Sequence, residues 1–226
     1  VAMAAWEEVA AHKETKGFFS MFALMVLLSF VPLFLPNQQR LYQLGLMFPL
    51  LFIIEFSVIM PLYFYFFRKK EGLGKGRFNA RLFCLLLVTI LAIQFILPTL
   101  LGITKSEGWM RDQVSLHGWI FILSQFLLIV IVPVYEEVVF RGFLYGALKA
   151  WFANNVWWAA IVSSIMFTLL HTQYTDFRTL AILFLVALCF TVARVKSNGL
   201  LMPIALHITM NGLVFGMMIA ITHYRA

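Results

Sequence analysis

Long apolar runs leave this chain few folds to choose from. Residues 18–35, 41–67, 83–101, 117–151, 156–171, 179–195 and 200–221 are nearly free of charge, and short polar segments separate them. An α-helix needs about 20 apolar residues to cross the hydrocarbon of a bilayer. Inside lipid, only helices and closed barrels satisfy their own backbone polar groups. The chain is 62% hydrophobic and 12% charged, with mean hydropathy +0.91. A soluble domain is about half apolar and a quarter charged. The expected fold class is therefore all-α, a polytopic transmembrane helical bundle in an integral membrane protein. The formal charge of +7 does not indicate a nucleic-acid partner, because the basic residues cluster in short loops where they set orientation in the bilayer.

The chain divides into three stretches. Residues 1–17 carry mixed charge and read as a cytoplasmic or interfacial N-terminal segment, with Trp6 as an interface anchor. Residues 18–116 read as N-terminal transmembrane helices. The run 18–35 lacks a small-x-small cleavage pattern behind it and is expected to be a span, not a removable signal. Glu55 lies in the middle of the second run and is expected as a carboxyl bonded inside the bundle. The segment 68–81 holds six basic residues and three glycines and is expected as a flexible cytoplasmic loop. Cys84 and Cys189 sit within apolar runs and read as core thiols. Residues 117–226 form the core that carries the chemistry.

Residues 117–151 decide the number of spans. Either Pro133 ends one span and Glu136 begins the next, or one long kinked helix carries the carboxylates to mid-membrane. Seven spans with a cytoplasmic N-terminus put eleven basic residues inside against five outside, whereas eight spans give ten against six, so seven is favoured. Depth favours it as well. With a rise of 1.5 Å per residue, Glu136, His171, His207 and Asn211 come to lie roughly 15–24 Å from the cytoplasmic ends of their helices, in one layer.

Charge inside lipid is costly, on the order of 2.5–3.5 kcal/mol for each group at a helix centre. Glu136, Glu137 and Arg141 form a cluster of three. On a helix Glu137 and Arg141 share a face and can pair, while Glu136 points elsewhere and is not neutralised in cis. The pair could simply fix helix packing, but the later runs carry His171 four residues after Phe167, and Asn211 four after His207. Together these describe a site for hydrolysis. Glu136 can take a proton from water, a histidine can hold that water or protonate the leaving amine, and Asn211 with a second histidine can donate to a tetrahedral oxyanion. No Ser or Cys stands beside a base; Ser163 and Ser164 read as helix-packing residues. Zinc held by two histidines and a glutamate, with water as fourth ligand, is the alternative, although no His-Glu-x-x-His turn is present.

In order, Glu136-Glu137-x-x-x-Arg141, Phe167-x-x-x-His171 and His207-x-x-x-Asn211 resemble the three motifs of the CAAX-protease and bacteriocin-processing (Abi) family. That group includes type II CAAX prenyl endopeptidases and lysostaphin-resistance-like proteins. The resemblance covers about residues 117–215. It implies an intramembrane endopeptidase acting on a membrane-associated peptide or protein, with no cofactor. Glu136 would activate water with help from His171, and His207 with Asn211 would form the oxyanion site. Glu137, Arg141 and Phe167 would support them. The wording from Phe140 to Gly146 resembles the prokaryotic branch, which implies a prokaryotic cell membrane. Two other readings use the same residues. One is a non-catalytic membrane regulator or bacteriocin-immunity protein. The other is a transporter, against which stands the lack of an internal repeat or paired broken helices.

Overall fold

The computed structural model describes residues 2–103 and 107–224, with side chains from residue 12 to residue 221. Trp6, Lys105 and Arg225 lie outside the described side chains. Among the described residues every regular element is helical. The elements are α1 (Ala2–Leu28), α2 (Gln38–Gln43), α3 (Met47–Phe67), α4 (Ala80–Leu100), α5 (Gly108–Ser115), α6 (Gly118–Trp151), α7 (Val156–Leu169), α8 (Phe177–Ser197) and α9 (Leu201–Tyr224). Five of these, α3, α4, α6, α8 and α9, are long and apolar enough to cross a membrane, whereas α7 is shorter. The chain is thus an all-helical integral membrane protein.

Residues 118–151 form one continuous helix of 34 residues, so Pro133 does not divide it. The helix accommodates the proline by widening. In a regular α-helix the ring of Pro133 would press on the carbonyl four residues back. Here the turn Leu127–Ile131, just before it, is a π-turn. In that register the N–H of Val132 reaches the carbonyl of Leu127, and the bond that would follow, from residue 133 to Leu128, is the one proline cannot make. A second π-turn, Val138–Leu144, begins directly after the two glutamates. Such turns are rare and concentrate at functional sites.

The core gathers around that second π-turn. From α1, Phe18 packs on Phe143 with ring centroids 5.7 Å apart, and Phe22 packs edge-on to Phe140 at 5.9 Å. From α7, Phe167 meets Phe140 at 4.9 Å. Helix α8 packs on α7 through Ser164 and Thr191, whose hydroxyls lie 3.4 Å apart, so Ser164 holds helices together as its sequence context suggests. Gln94 of α4 lies 3.6 Å from the sulfur of Met210.

The ends of the bundle are tied by polar contacts. At one end Arg178 donates to the carbonyl of Leu101 at 2.9 Å, and Glu107 accepts from Thr175 and Asp176. Asp176 caps α8, and its hydrogen bonds from Arg178 hold its carboxyl below the usual range. At the other end the basic loop is docked, not loose. Leu73 is buried and its carbonyl accepts from Tyr63 at 2.5 Å, while Arg77 N–H donates to Ser197 at 2.7 Å and Leu200 N–H to Gly74 at 2.9 Å. Gly76 and Gly199 lie back to back: a Cβ on Gly199 would fall 2.3 Å from Gly76 Cα. Gly76, one of the glycines that suggested flexibility, serves close backbone approach. Two other expectations also change. Cys84 is exposed on the outer face and is not a core thiol, whereas Cys189 is half-buried and packs against the core. Arg194, one of the eleven basic residues counted on the cytoplasmic side from the sequence, is buried.

Candidate active site

The two adjacent glutamates diverge. Glu137 points to the centre of the bundle and is fully buried. Its Oε1 accepts from Arg141 Nη1 at 3.0 Å, the pair expected from the four-residue spacing. The same oxygen also accepts from Nδ1 of His207 at 2.8 Å, a contact that spacing could not reveal. Arg141 is held from other directions too. It donates Nη2 to the carbonyl of Ala187 at 3.1 Å, and its guanidinium lies between the rings of Phe167 (4.3 Å) and Phe190 (5.2 Å). Cation–π contacts of this kind partly compensate a buried cation. Phe190 in turn stacks on His207 with centroids 4.5 Å apart.

Glu136 turns toward His171, with Oε1 4.0 Å from Nε2. Helix α7 ends at Leu169, two residues before the end of the apolar run, so His171 stands just beyond the helix and not within it. Its own N–H bonds the carbonyl of Thr168, which leaves Phe167's carbonyl without its helical partner. The imidazole Nδ1 takes that carbonyl at 2.7 Å. A carbonyl only accepts, so Nδ1 carries the proton, and the lone pair on Nε2 faces Glu136. Tyr174 stacks on the same imidazole in a nearly parallel arrangement at 6.1 Å.

Glu136, His171, His207 and Asn211 all line one cavity of about 140 Å³, on whose wall Trp109 and Gln173 also stand. The four residues come from α6, the loop after α7, and α9. Glu136 and His171 also border a larger, mainly apolar cavity of about 490 Å³ that reaches α1 and α3. The pair therefore stands between a small chamber that holds the polar side chains and a larger apolar one.

Asn211 has a structural partner. Its Nδ2 donates to the carbonyl of Leu128 at 2.9 Å, the carbonyl that Pro133 leaves without an N–H. One amide hydrogen is committed there and the other remains for the cavity. Asn211→Ala is expected to cost about 1–3 kcal/mol, the penalty for orphaning a buried carbonyl. In a Pro133→Ala background the restored N–H can take that carbonyl, and the cost of Asn211→Ala should shrink. Equal losses of melting temperature in the two backgrounds would refute this link.

Residues not assigned to the site from sequence also border it. Glu55 accepts from Tyr135 at 2.7 Å and from Ser29 at 2.9 Å, so it is a bonded carboxyl of the bundle interior and lines the apolar cavity beside Glu136. Trp109, from the connector helix α5, sits against Tyr174, Phe215 and Phe48. Nothing in that connector's sequence marked it. Among the described residues no three His, Cys, Asp or Glu side chains converge as a metal would require.

The chain is similar to known proteins over part of its length. An uncharacterized 24.3 kDa protein of Escherichia coli is 39% identical over 97 residues, which is 42% of this chain and 45% of that protein. The UPF0177 protein YbdI of Lactococcus lactis subsp. lactis is 43% identical over 49 residues, 22% of this chain and 24% of that protein. The chain thus spans less than half the length of these curated relatives. No solved structure matches it. The family model of Rce1-like type II CAAX prenyl endopeptidases matches residues 118–213, which hold all three motifs. That segment, from the start of α6 into α9, is similar to the type II CAAX prenyl endopeptidase Rce1-like family.

Proposed function

We propose that this protein is an intramembrane endopeptidase that hydrolyses a peptide bond in a membrane-associated peptide or protein, using water activated by Glu136 without a metal. The observation that carries the reading is the facing of Glu136 Oε1 and His171 Nε2 across 4.0 Å at the boundary of the two cavities. Both atoms are acceptors, so one water can donate to each and be held for attack. Glu136 takes the proton as the water adds to the carbonyl, and passes it to the leaving amine. The free amide hydrogen of Asn211 is the donor suited to the developing oxyanion. His207 donates Nδ1–H to Glu137, so its Nε2 can donate to that oxyanion only as an imidazolium.

The membrane frame of this proposal has seven spans, with the basic loop 68–81 and Lys149 on the cytoplasmic side of a prokaryotic membrane. Single cysteines at Lys75 and Lys149 should then label from one side, and cysteines at Arg111 and Arg178 from the other. Lys149 labelling with Arg178 would exclude it.

A cleavage assay tests the enzymatic reading. The purified full chain, incubated with candidate membrane peptides, should release products, and thorough chelation should leave the rate unchanged. Activity lost to a chelator and restored by zinc would reassign His171 and His207 as ligands. No cleavage of any peptide by a folded sample would favour a non-catalytic regulator of the same fold.

A further inference from the structure

A third cavity, of about 320 Å³, lies at the end of the bundle where the basic loop docks. Three chain reversals with left-handed backbone border it: Gly72 (φ 72°), Asn154 (φ 66°) and Asn198 (φ 47°). Arg194 forms part of its wall and is only 6% exposed. Its Nε donates to the carbonyl of Arg141 at 3.0 Å, but its two Nη groups donate to no described residue. The guanidinium is fixed between the Tyr145 ring, 5.6 Å away, and Gly72, where a Cβ would fall 2.0 Å from Nη2. Lys149 stands on the same wall. Of the two carboxylates there, Glu14 is paired with Lys70 at 3.1 Å, which leaves Arg194 and Lys149 facing Glu71 alone.

The depth of this cavity in the bilayer is marked by tryptophans. Trp151, Trp157 and Trp158 are 72%, 77% and 56% exposed and flank the cavity residues Asn154 and Val156 along the chain. Exposed tryptophans belong at the headgroup level. The loop beside them adds Arg68, Lys69 and Lys70, as expected of a face toward anionic lipid.

We propose that this cavity binds the phosphoryl group of a membrane lipid headgroup. The paired Nη groups of Arg194 match two phosphate oxygens, and Lys149 supplies a second, point-like charge. Because Nε of the same guanidinium holds the Arg141 carbonyl, the bound headgroup braces the π-turn that carries Arg141. This site is independent of the peptidase reading and is measured without any substrate. Inorganic phosphate shares the chemistry, so the test separates the two sources.

The full chain, purified in neutral detergent, is melted in the presence of short-chain phosphatidylglycerol, of diacylglycerol with the same chains, or of inorganic phosphate. Phosphatidylglycerol should raise the melting temperature of the wild type and diacylglycerol should not. Lys149→Ala should raise the half-maximal lipid concentration about tenfold, as loss of a charge-assisted contact implies. Arg194→Gln should abolish the response, and if that variant does not fold, Lys149→Ala alone carries the test. A response to inorganic phosphate as strong as to the lipid, and weakened by the same variant, keeps the phosphoryl site and assigns it to a soluble anion. An unchanged lipid response in Lys149→Ala, or an equal response to diacylglycerol, overturns the proposal.

Discussion

Glu136→Gln is expected to lower turnover of a verified peptide substrate by roughly 10²–10⁴-fold, the range attributed to a general base. The melting temperature should hardly move. The amide is isosteric and still accepts a hydrogen bond, but it cannot take a proton from water. Little structure depends on Glu136. Among the described residues it makes no hydrogen bond, and its ion-pair contact is with His171 at 4.0 Å. The same variant should bind substrate with nearly unchanged affinity. A Glu136→Gln protein that cleaves at the wild-type rate would remove the glutamate-activated mechanism.

Glu137→Gln should behave in the opposite way, with stability as its first readout. Glu137 is 0% and Arg141 1% exposed, so the cation would lose its counter-charge where water cannot replace it. Breaking a buried pair from one side costs about 3–5 kcal/mol. For a chain of this size that corresponds to a melting temperature lower by roughly 6–20 °C. Turnover should fall as well, because Glu137 also holds Nδ1 of His207 and thereby sets which face of that imidazole meets the cavity. The double change Glu137→Gln with Arg141→Met removes the stranded charge and should recover part of the melting temperature without recovering turnover. If Glu137→Gln abolishes cleavage at full stability while Glu136→Gln cleaves normally, the roles of the two carboxylates are reversed.

Both expectations depend on the direction in which each glutamate faces, and local spacing supplied half of that. Four residues along a helix bring Glu137 to Arg141 whatever surrounds the helix, because that geometry belongs to the helix itself. The length and apolarity of the runs likewise dictated an all-helical membrane bundle, since lipid leaves the backbone no other partner than itself. A proline within a helix always leaves a carbonyl without its N–H, although the group that donates to it here, Asn211, is 83 residues from Leu128.

Contacts between helices were not legible in the same way. His207 on Glu137, Tyr135 on Glu55, Arg194 on Arg141 and Leu73 against Gly142 all depend on the rotation and register of one helix against another. A soluble helix reveals its inner face as an apolar stripe. Helices that are apolar all round carry no stripe, so their sequences leave the packed face open. The π-turns added a further shift, because each inserts a residue into the turn and rotates everything beyond it. The sequence by itself determined which groups had to be buried in the membrane and which were paired within one helix. Only the tertiary structure decided which oxygen of which glutamate met which histidine, because that depends on packing among helices whose surfaces are chemically alike.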